Sequence, residues 1–306
     1  MKLGFASAIL PDLSFEEVYD FAAENGFKCV ETMCWPKGKA ERRYAGVTHI
    51  DVATLTDKQA EEYRAYADEK GVEISAISYY PNPLDSDLEA RNTYIEHIKA
   101  CIVAAKKLGI RNMNTFIGRD YQKSVSENMA EFKKVWPDII KFAEEQDIRI
   151  GIENCPMLFS NDEWPGGKNL AISPKIWREM FAEIDSDHFG LNIDPSHMYW
   201  MQMDYIKPIY EFKDKIFHVH LKDIKLYKDR LDDVGILATP LEYMAPKLPG
   251  LGDINWGAYI SALYDIGYNG CVALEIEDKA FENSIEDRKY SLLQSKKYID
   301  QFLLNV

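Results

Sequence analysis

Cysteine is scarce in this sequence: five residues among 306, at positions 29, 34, 101, 155 and 271. An odd, scattered set with no CxxC pair does not build a disulfide framework, so a reducing, cytoplasmic compartment is expected. Long apolar runs are missing as well. No stretch approaches the roughly 18 uncharged residues of a spanning helix. The opening MKLGFASAILPDLSFEEV is broken by Pro11 and Asp12 before an apolar core of signal-peptide length forms. Positive charge is in deficit, with 36 Lys and Arg against 50 Asp and Glu, a formal charge of −14. A phosphate backbone is held chiefly by Lys and Arg, so neither nucleic acid nor a membrane is an expected partner. There is no GxGxxG after the first apolar run, where Gly4 stands alone, and Ser196 is not framed as GxSxG. Dinucleotide binding on an open sheet and serine hydrolysis both lose their usual signatures.

What is present is a globular composition, 46% hydrophobic and 28% charged, with chain enough for a large core. One rhythm repeats along it: a short apolar run, polar residues at its end, then an amphipathic stretch of helical period that is often closed by glycine. The pattern predicts strands at 2–6, 29–34, 73–80, 111–117, 149–155, 189–194, 216–223 and 271–277. It predicts the helices after them at 15–24, 57–70, 88–108, 128–146, 175–184, 203–215, 256–266 and 285–304. Alternating strands and helices demand crossover connections and a parallel sheet. Eight such units favour an α/β single (β/α)8 TIM barrel spanning residues 1–306, with its active site at the C-terminal ends of the strands. Three long connections, 35–55, 156–173 and 224–255, follow strands on that same side.

Polar residues in an apolar strand are costly unless functional or paired. Here they gather at the ends of the last four strands: RIGIENC with Glu153, LNIDPSH with Asp194 and His197, FHVHLKD with His218 and His220, and ALEIED with Glu275 and Glu277. Neighbouring strands would bring one ligand each to a single point, with side-chain alternation choosing within each pair. Three carboxylates and one imidazole form a hard site that favours one divalent ion, Mn²⁺ first, then Mg²⁺ or Co²⁺. Such an ion can stabilise an enediolate formed by proton loss next to a carbonyl, while two carboxylates on opposite sides move the proton.

With IEN at 152–154, DPSH at 194–197, HVHLKD at 218–223, PGLGDINW at 249–256 and LEIED at 274–278, the chain resembles the xylose-isomerase-like (β/α)8 superfamily. The branch is that of the sugar phosphate isomerases/epimerases, which includes the D-tagatose and D-psicose 3-epimerases, the inositol-catabolism dehydratase and the endonuclease IV group. The resemblance implies Glu153, Asp194, His220 and Glu275 as metal ligands, with Glu153 and Glu275 also the catalytic acid/base pair. It implies that His197 contacts substrate oxygen beside the metal, and it implies a homo-oligomer.

Two positions depart from the ketose 3-epimerases. A substrate-contacting Glu is replaced by Phe159, and an Arg six residues after the metal histidine is replaced by Leu226. Lys222, within HLKD, can supply a cation near the substrate. Trp35 and Tyr80 suit the apolar side of a sugar ring, and Asn114 and Arg119 its hydroxyls or a phosphate. Glu31 and Tyr79 stand at strand ends beside them, and the KAERR run within 35–49 can clamp an anion or form a solvated loop. The reading is therefore a metal-dependent isomerase or epimerase for a small-molecule sugar, sugar phosphate or keto-sugar. The alternative is a lyase on the same site, a dehydratase for a keto-inositol or a cleaving enzyme for a 3-keto-glycoside. Six histidines and the negative charge disfavour a multi-metal nuclease.

Overall fold

Strands such as Phe189–Ile193 and Ile216–Leu221 are buried at every position, the pattern of a parallel sheet covered on both faces. The computed structural model describes residues 1–38, 45–158 and 167–304. Its strands are β1 (Lys2–Ala6), β2 (Cys29–Met33), β3 (Glu73–Ser78), β4 (Asn112–Thr115), β5 (Arg149–Glu153), β6 (Phe189–Ile193), β7 (Ile216–Leu221), β8 (Asp223–Leu226), β9 (Met244–Lys247) and β10 (Cys271–Leu274). Eight of them close a parallel barrel in the order β1-β10-β7-β6-β5-β4-β3-β2, with helices between, a single (β/α)8 TIM barrel.

Local chemistry sets the helix ends where expected. Ser14, Thr56 and Ser124 close reciprocal capping boxes with Glu17, Gln59 and Glu127. Gly71 and Gly109 end their helices in the left-handed conformation, which costs glycine nothing. Trp136, Trp177 and Trp256, each carried by a helix around the barrel, are fully buried.

Two segments depart from the periodicity. Residues 203–215 do not form one helix; Pro195–Trp200, Lys207–Glu211 and a 3-10 turn at Lys213–Lys215 take their place. Asp194 caps the first through Ser196 N, Asp204 accepts from Ile206 N and Lys207 N, and a proline opens each helix, so the chain starts twice. The connection after β7 is not a plain loop either. β8 and β9 pair antiparallel beside the barrel mouth, with short helices at Lys228–Val234 and Pro240–Tyr243 between them.

Asp223, just past β7, ties that excursion down. Its carboxylate accepts from Ile224 N, Gly250 N, Ile254 N and the Trp256 indole at 2.8–3.1 Å. The fit requires glycine at 252, where an added Cβ would fall 2.1 Å from Asp223 Oδ1. HLKD and PGLGDINW, distant in sequence, are thus one construction.

Candidate active site

Register sets the level of the site. Glu153 pairs with Asn192, Asn192 with His218, and Ala273 with His220. Two residues beyond Asn192 comes Asp194, and two beyond Ala273 comes Glu275, so all four candidate ligands reach the C-terminal rim. They come from adjacent strands in the order β10-β7-β6-β5.

Glu153, Asp194, His220 and Glu275 each offer one ligand atom, and the four atoms lie within 4.8 Å of one another. Glu153 Oε1, Asp194 Oδ2, His220 Nδ1 and Glu275 Oε2 are buried and make no hydrogen bond. His220 Nδ1 faces Glu275 Oε2 at 3.2 Å and Glu153 Oε1 at 3.5 Å. Unpaired polar atoms are costly in an interior, and one divalent cation satisfies this whole set at once. The donors, three carboxylates and an imidazole, suit such an ion.

The electrostatics ask for positive charge. Burial works against the charged imidazole of His220, but Glu31, Glu153 and Glu275 press its pKa well above the ordinary value. Burial raises Asp194 to about 6, Glu275 and Glu153 adding to it against the pull of His197 and Lys222. Glu153 is held at about 2 despite its burial, because His197 and His220 face it.

Strand alternation does not choose between His218 and His220, because residues two apart share a face. Depth does. His218 lies one layer down, its ring bonded to Ser75 Oγ and Asn192 Oδ1, each at 3.1 Å. Burial pushes its pKa to about 4, so it is a neutral core histidine. The other nitrogen of His220, Nε2, meets Glu31 Oε2 at 2.5 Å and Asn192 Nδ2 at 3.0 Å.

Glu31 is fully buried and also accepts from Ser78 Oγ, Tyr80 OH and Asn114 Nδ2 at 2.5, 2.5 and 3.1 Å. Burial would raise its carboxyl, but the imidazoles of His220 and His218 and the hydroxyl of Ser78 hold it far below the usual range. A carboxylate on the far nitrogen of a ligand histidine orients the ring and raises its basicity. The sequence places Glu31 at a strand end among pocket residues; the structure sets it behind His220 instead, at a register shift between Val30 and Glu31 against β3.

Asn154 performs a second alignment that sequence reasoning missed. Its amide Oδ1 accepts from Asp194 N at 2.8 Å and its Nδ2 donates to Asp194 O at 2.9 Å, a two-point clamp between the ends of β5 and β6.

The site floors a cavity of about 1100 Å³. Trp35, Tyr80, His197 and Lys222 line it, while Asn114 and Arg119 are not among the described residues of its wall. Asn114 is spent on Glu31, and the backbone N–H and C=O of Arg119 pair with the Asn82 side chain. Tyr79 packs its ring against Trp35 and His97. Lys222 is buried, 2.7 Å from Glu277 Oε2, 3.3 Å from Glu275 Oε1 and 3.4 Å from His197 Nε2. Those carboxylates and Asp194 keep it charged against the cost of burial. Phe159 and the KAERR run lie outside the described residues. No helix among the described residues is long and apolar enough to cross a membrane.

Residues 19–299 match the family described as the xylose isomerase-like TIM barrel. The uncharacterized protein YfiH of Bacillus subtilis is 24% identical, over 91% of this chain and 93% of its own. A probable ketose 3-epimerase of Synechocystis is 24% identical over 78% of each chain. Among solved structures, an IOLI protein with a bound zinc atom superposes with a TM-score of 0.70 over 99% of both chains, at 18% identity, a likeness of fold. The match over most of the chain, carried by the same barrel that assembles the four-residue cluster, makes this protein a member of the xylose isomerase-like TIM barrel family.

Proposed function

We propose that the protein is a divalent-metal-dependent isomerase or epimerase of a sugar or keto-sugar. The observation that carries this reading is the convergence of four unpaired, buried ligand atoms at the floor of an open cavity, two of them on carboxylates at the ends of the ligand arc. Glu153, Asp194, His220 and Glu275 would hold the ion, Mn²⁺ by preference for a hard oxygen-rich set. Such an ion would supply positive charge to offset an enediolate.

The remaining work falls to the chain. Glu153 on β5 and Glu275 beyond β10 stand on either side of His220 and Asp194. One carboxylate takes the proton from the carbon next to the carbonyl, leaving an enediolate; the other returns a proton, so the substrate's composition is unchanged. The Lys222 ammonium, 3.3 Å from Glu275 Oε1, keeps that carboxylate ionised and aimed at the cavity. His197 meets a substrate oxygen beside the ligand cluster.

A lyase that expels water or an aglycone after the same first proton transfer is the second reading. One observation favours it. Leu226, where the resemblance places an arginine in ketose 3-epimerases, lies on β8 with its amide bonded to Asp253 Oδ2, away from the cavity wall. Incubation of keto-sugars with Mn²⁺-loaded protein in D₂O separates the two: deuterium in recovered sugar of otherwise unchanged mass marks isomerisation, and a released fragment marks the lyase. Glu153→Gln and Glu275→Gln should each abolish exchange with the far-UV circular dichroism unchanged; full exchange in either variant removes that residue from the acid/base role.

A further inference from the structure

Two asparagines hold the strand that carries Glu153. Asn154 clamps it to the peptide of Asp194 on the β6 side. Asn169 works on the β4 side and belongs to neither strand. The β4–β5 register ends where Thr115 meets Ile152. Just beyond it, a side-chain amide stands between the two chains like an inserted peptide unit. Asn169 Oδ1 accepts from Ile117 N at 3.2 Å and from Ala171 N at 3.4 Å, and its Nδ2 donates to Glu153 O at 2.9 Å and to Cys155 O at 2.7 Å. The residue is fully buried. Both donors and both acceptor positions of the amide are used, in an interior where an unmet one would be costly.

Asparagine is the residue this position requires. Leucine would leave two N–H and two C=O groups without these partners, and aspartate would turn a negative oxygen on two carbonyls. Asn169 reaches the strand from the returning end of the connection that follows β5. That return is fixed at further points: Lys168 N donates to Pro156 O at 3.0 Å and Leu170 N donates to Gly118 O at 3.1 Å. Gly167, at φ +63°, packs where a Cβ would fall 2.2 Å from Pro156 O. Within this clasp Met157 is left-handed, at φ +57°, a conformation that a long side chain keeps only when its surroundings impose it. Cys155, Pro156, Met157 and Lys168 all line the cavity. One amide therefore grips both the backbone of a candidate metal ligand and the segment that walls the cavity beside it.

We infer that Asn169 is a positioning residue for Glu153, and that through it the ion and the cavity-wall segment 155–157 order together. This rests on the metal reading above and adds how the metal site is held. Asn169→Asp keeps both acceptor positions but turns its other oxygen on Glu153 O and Cys155 O. It should bind Mn²⁺ about tenfold or more weakly, as loss of an outer partner of a ligand does. Ile102→Ala should lower Tm with Mn²⁺ affinity at the parent value, since Ile102 is buried on Leu88–Leu108, a helix that carries no ligand. Paramagnetic resonance of free Mn²⁺ measures both affinities. Coupling is reciprocal, so Mn²⁺ should slow amide hydrogen exchange in peptides covering 155–158 and 167–171 of the parent, and leave the helix Asp57–Lys70 unchanged. It should also slow the Ile117 amide, whose N–H is held by Asn169. In Asn169→Asp saturated with Mn²⁺ that protection should shrink.

Mn²⁺ affinity of Asn169→Asp within about twofold of the parent, an equal loss in Ile102→Ala, or exchange indifferent to Mn²⁺ overturns the inference. Should Asn169→Asp fail to fold, exchange of the Ile117 amide in the parent decides. Each refuting result leaves the isomerase reading standing if deuterium exchange into a keto-sugar persists. Failure of the parent to bind Mn²⁺ at all instead removes the reading on which the inference rests, and the inference with it.

Discussion

Replacing Glu31 by Gln tests whether the Glu153, Asp194, His220 and Glu275 cluster depends on a carboxylate outside it. Glu31 belongs to β2, on the arc opposite the ligands, and reaches His220 only through Nε2 while Nδ1 faces the cluster. The substituted amide could keep its oxygen toward Ser78, Tyr80 and Asn114, which all donate to Oε1, but would then turn an NH₂ group toward His220 Nε2 in place of Oε2. Loss of such a partner typically lowers metal affinity about 10–100-fold, which is about 1.4–2.7 kcal/mol.

Two effects oppose each other at neutral pH. Glu31 makes the His220 nitrogen a better ligand, and it also stabilises the proton that a metal must displace from the ring. Glu31→Gln removes both. The loss should therefore sit near the lower bound, about tenfold, at pH 6.5 and approach the upper bound, about a hundredfold, as the pH rises to 8.5. Competition between the protein and a chromophoric chelator for Co²⁺ across that range measures it, with stoichiometry at saturation still one ion per chain. An affinity within twofold of the parent at every pH would refute the reasoning and detach Glu31 from the role of His220.

Three further outcomes are expected. His220→Ala should lose bound metal, whereas His218→Gln should keep it; the reverse result, read by elemental analysis, would make His218 the ligand. His218 also governs part of the acid response. Its folded pKa of about 4 lies below its unfolded value, so the unfolded chain binds the extra proton and stability rises with pH through the window. The penalty is absent above about pH 6.5 and complete below about pH 4, where it reaches roughly 3 kcal/mol. In chelator-treated protein, the difference in urea midpoint between parent and His218→Gln should change across that window, and a flat difference would contradict the assignment. Gly252→Ala should drive a methyl into the Asp223 carboxylate and cost about 1–3 kcal/mol; an unchanged Tm would show that the anchor is looser than drawn.

The two ends of the molecule's logic differ in how far the sequence reveals them. Period, caps and glycine stops determined the barrel strands and most helix boundaries, because these depend on neighbours a few residues away; Phe15–Glu24, Asp57–Lys70 and Leu88–Leu108 end where their local chemistry says. The ligand types were also legible, since a carboxylate or imidazole inside an apolar strand is anomalous wherever it stands. Pro208 and the Asp204 turn split the helix expected at 203–215, a local signal outweighed in reading by the apolar period.

Only closure of the barrel decided the rest. His218 and His220 have equal claims by alternation and are told apart by depth, a coordinate that exists only when eight strands share an axis. Glu31 lies 189 residues from His220 along the chain, and Asp223 holds a loop whose glycine is 29 positions away (252 − 223). Asn114 has the chemistry of a substrate contact and serves beneath the site instead. A side chain's type is written in the sequence; whether it meets ligand, ion or another side chain depends on which strand the fold sets against it.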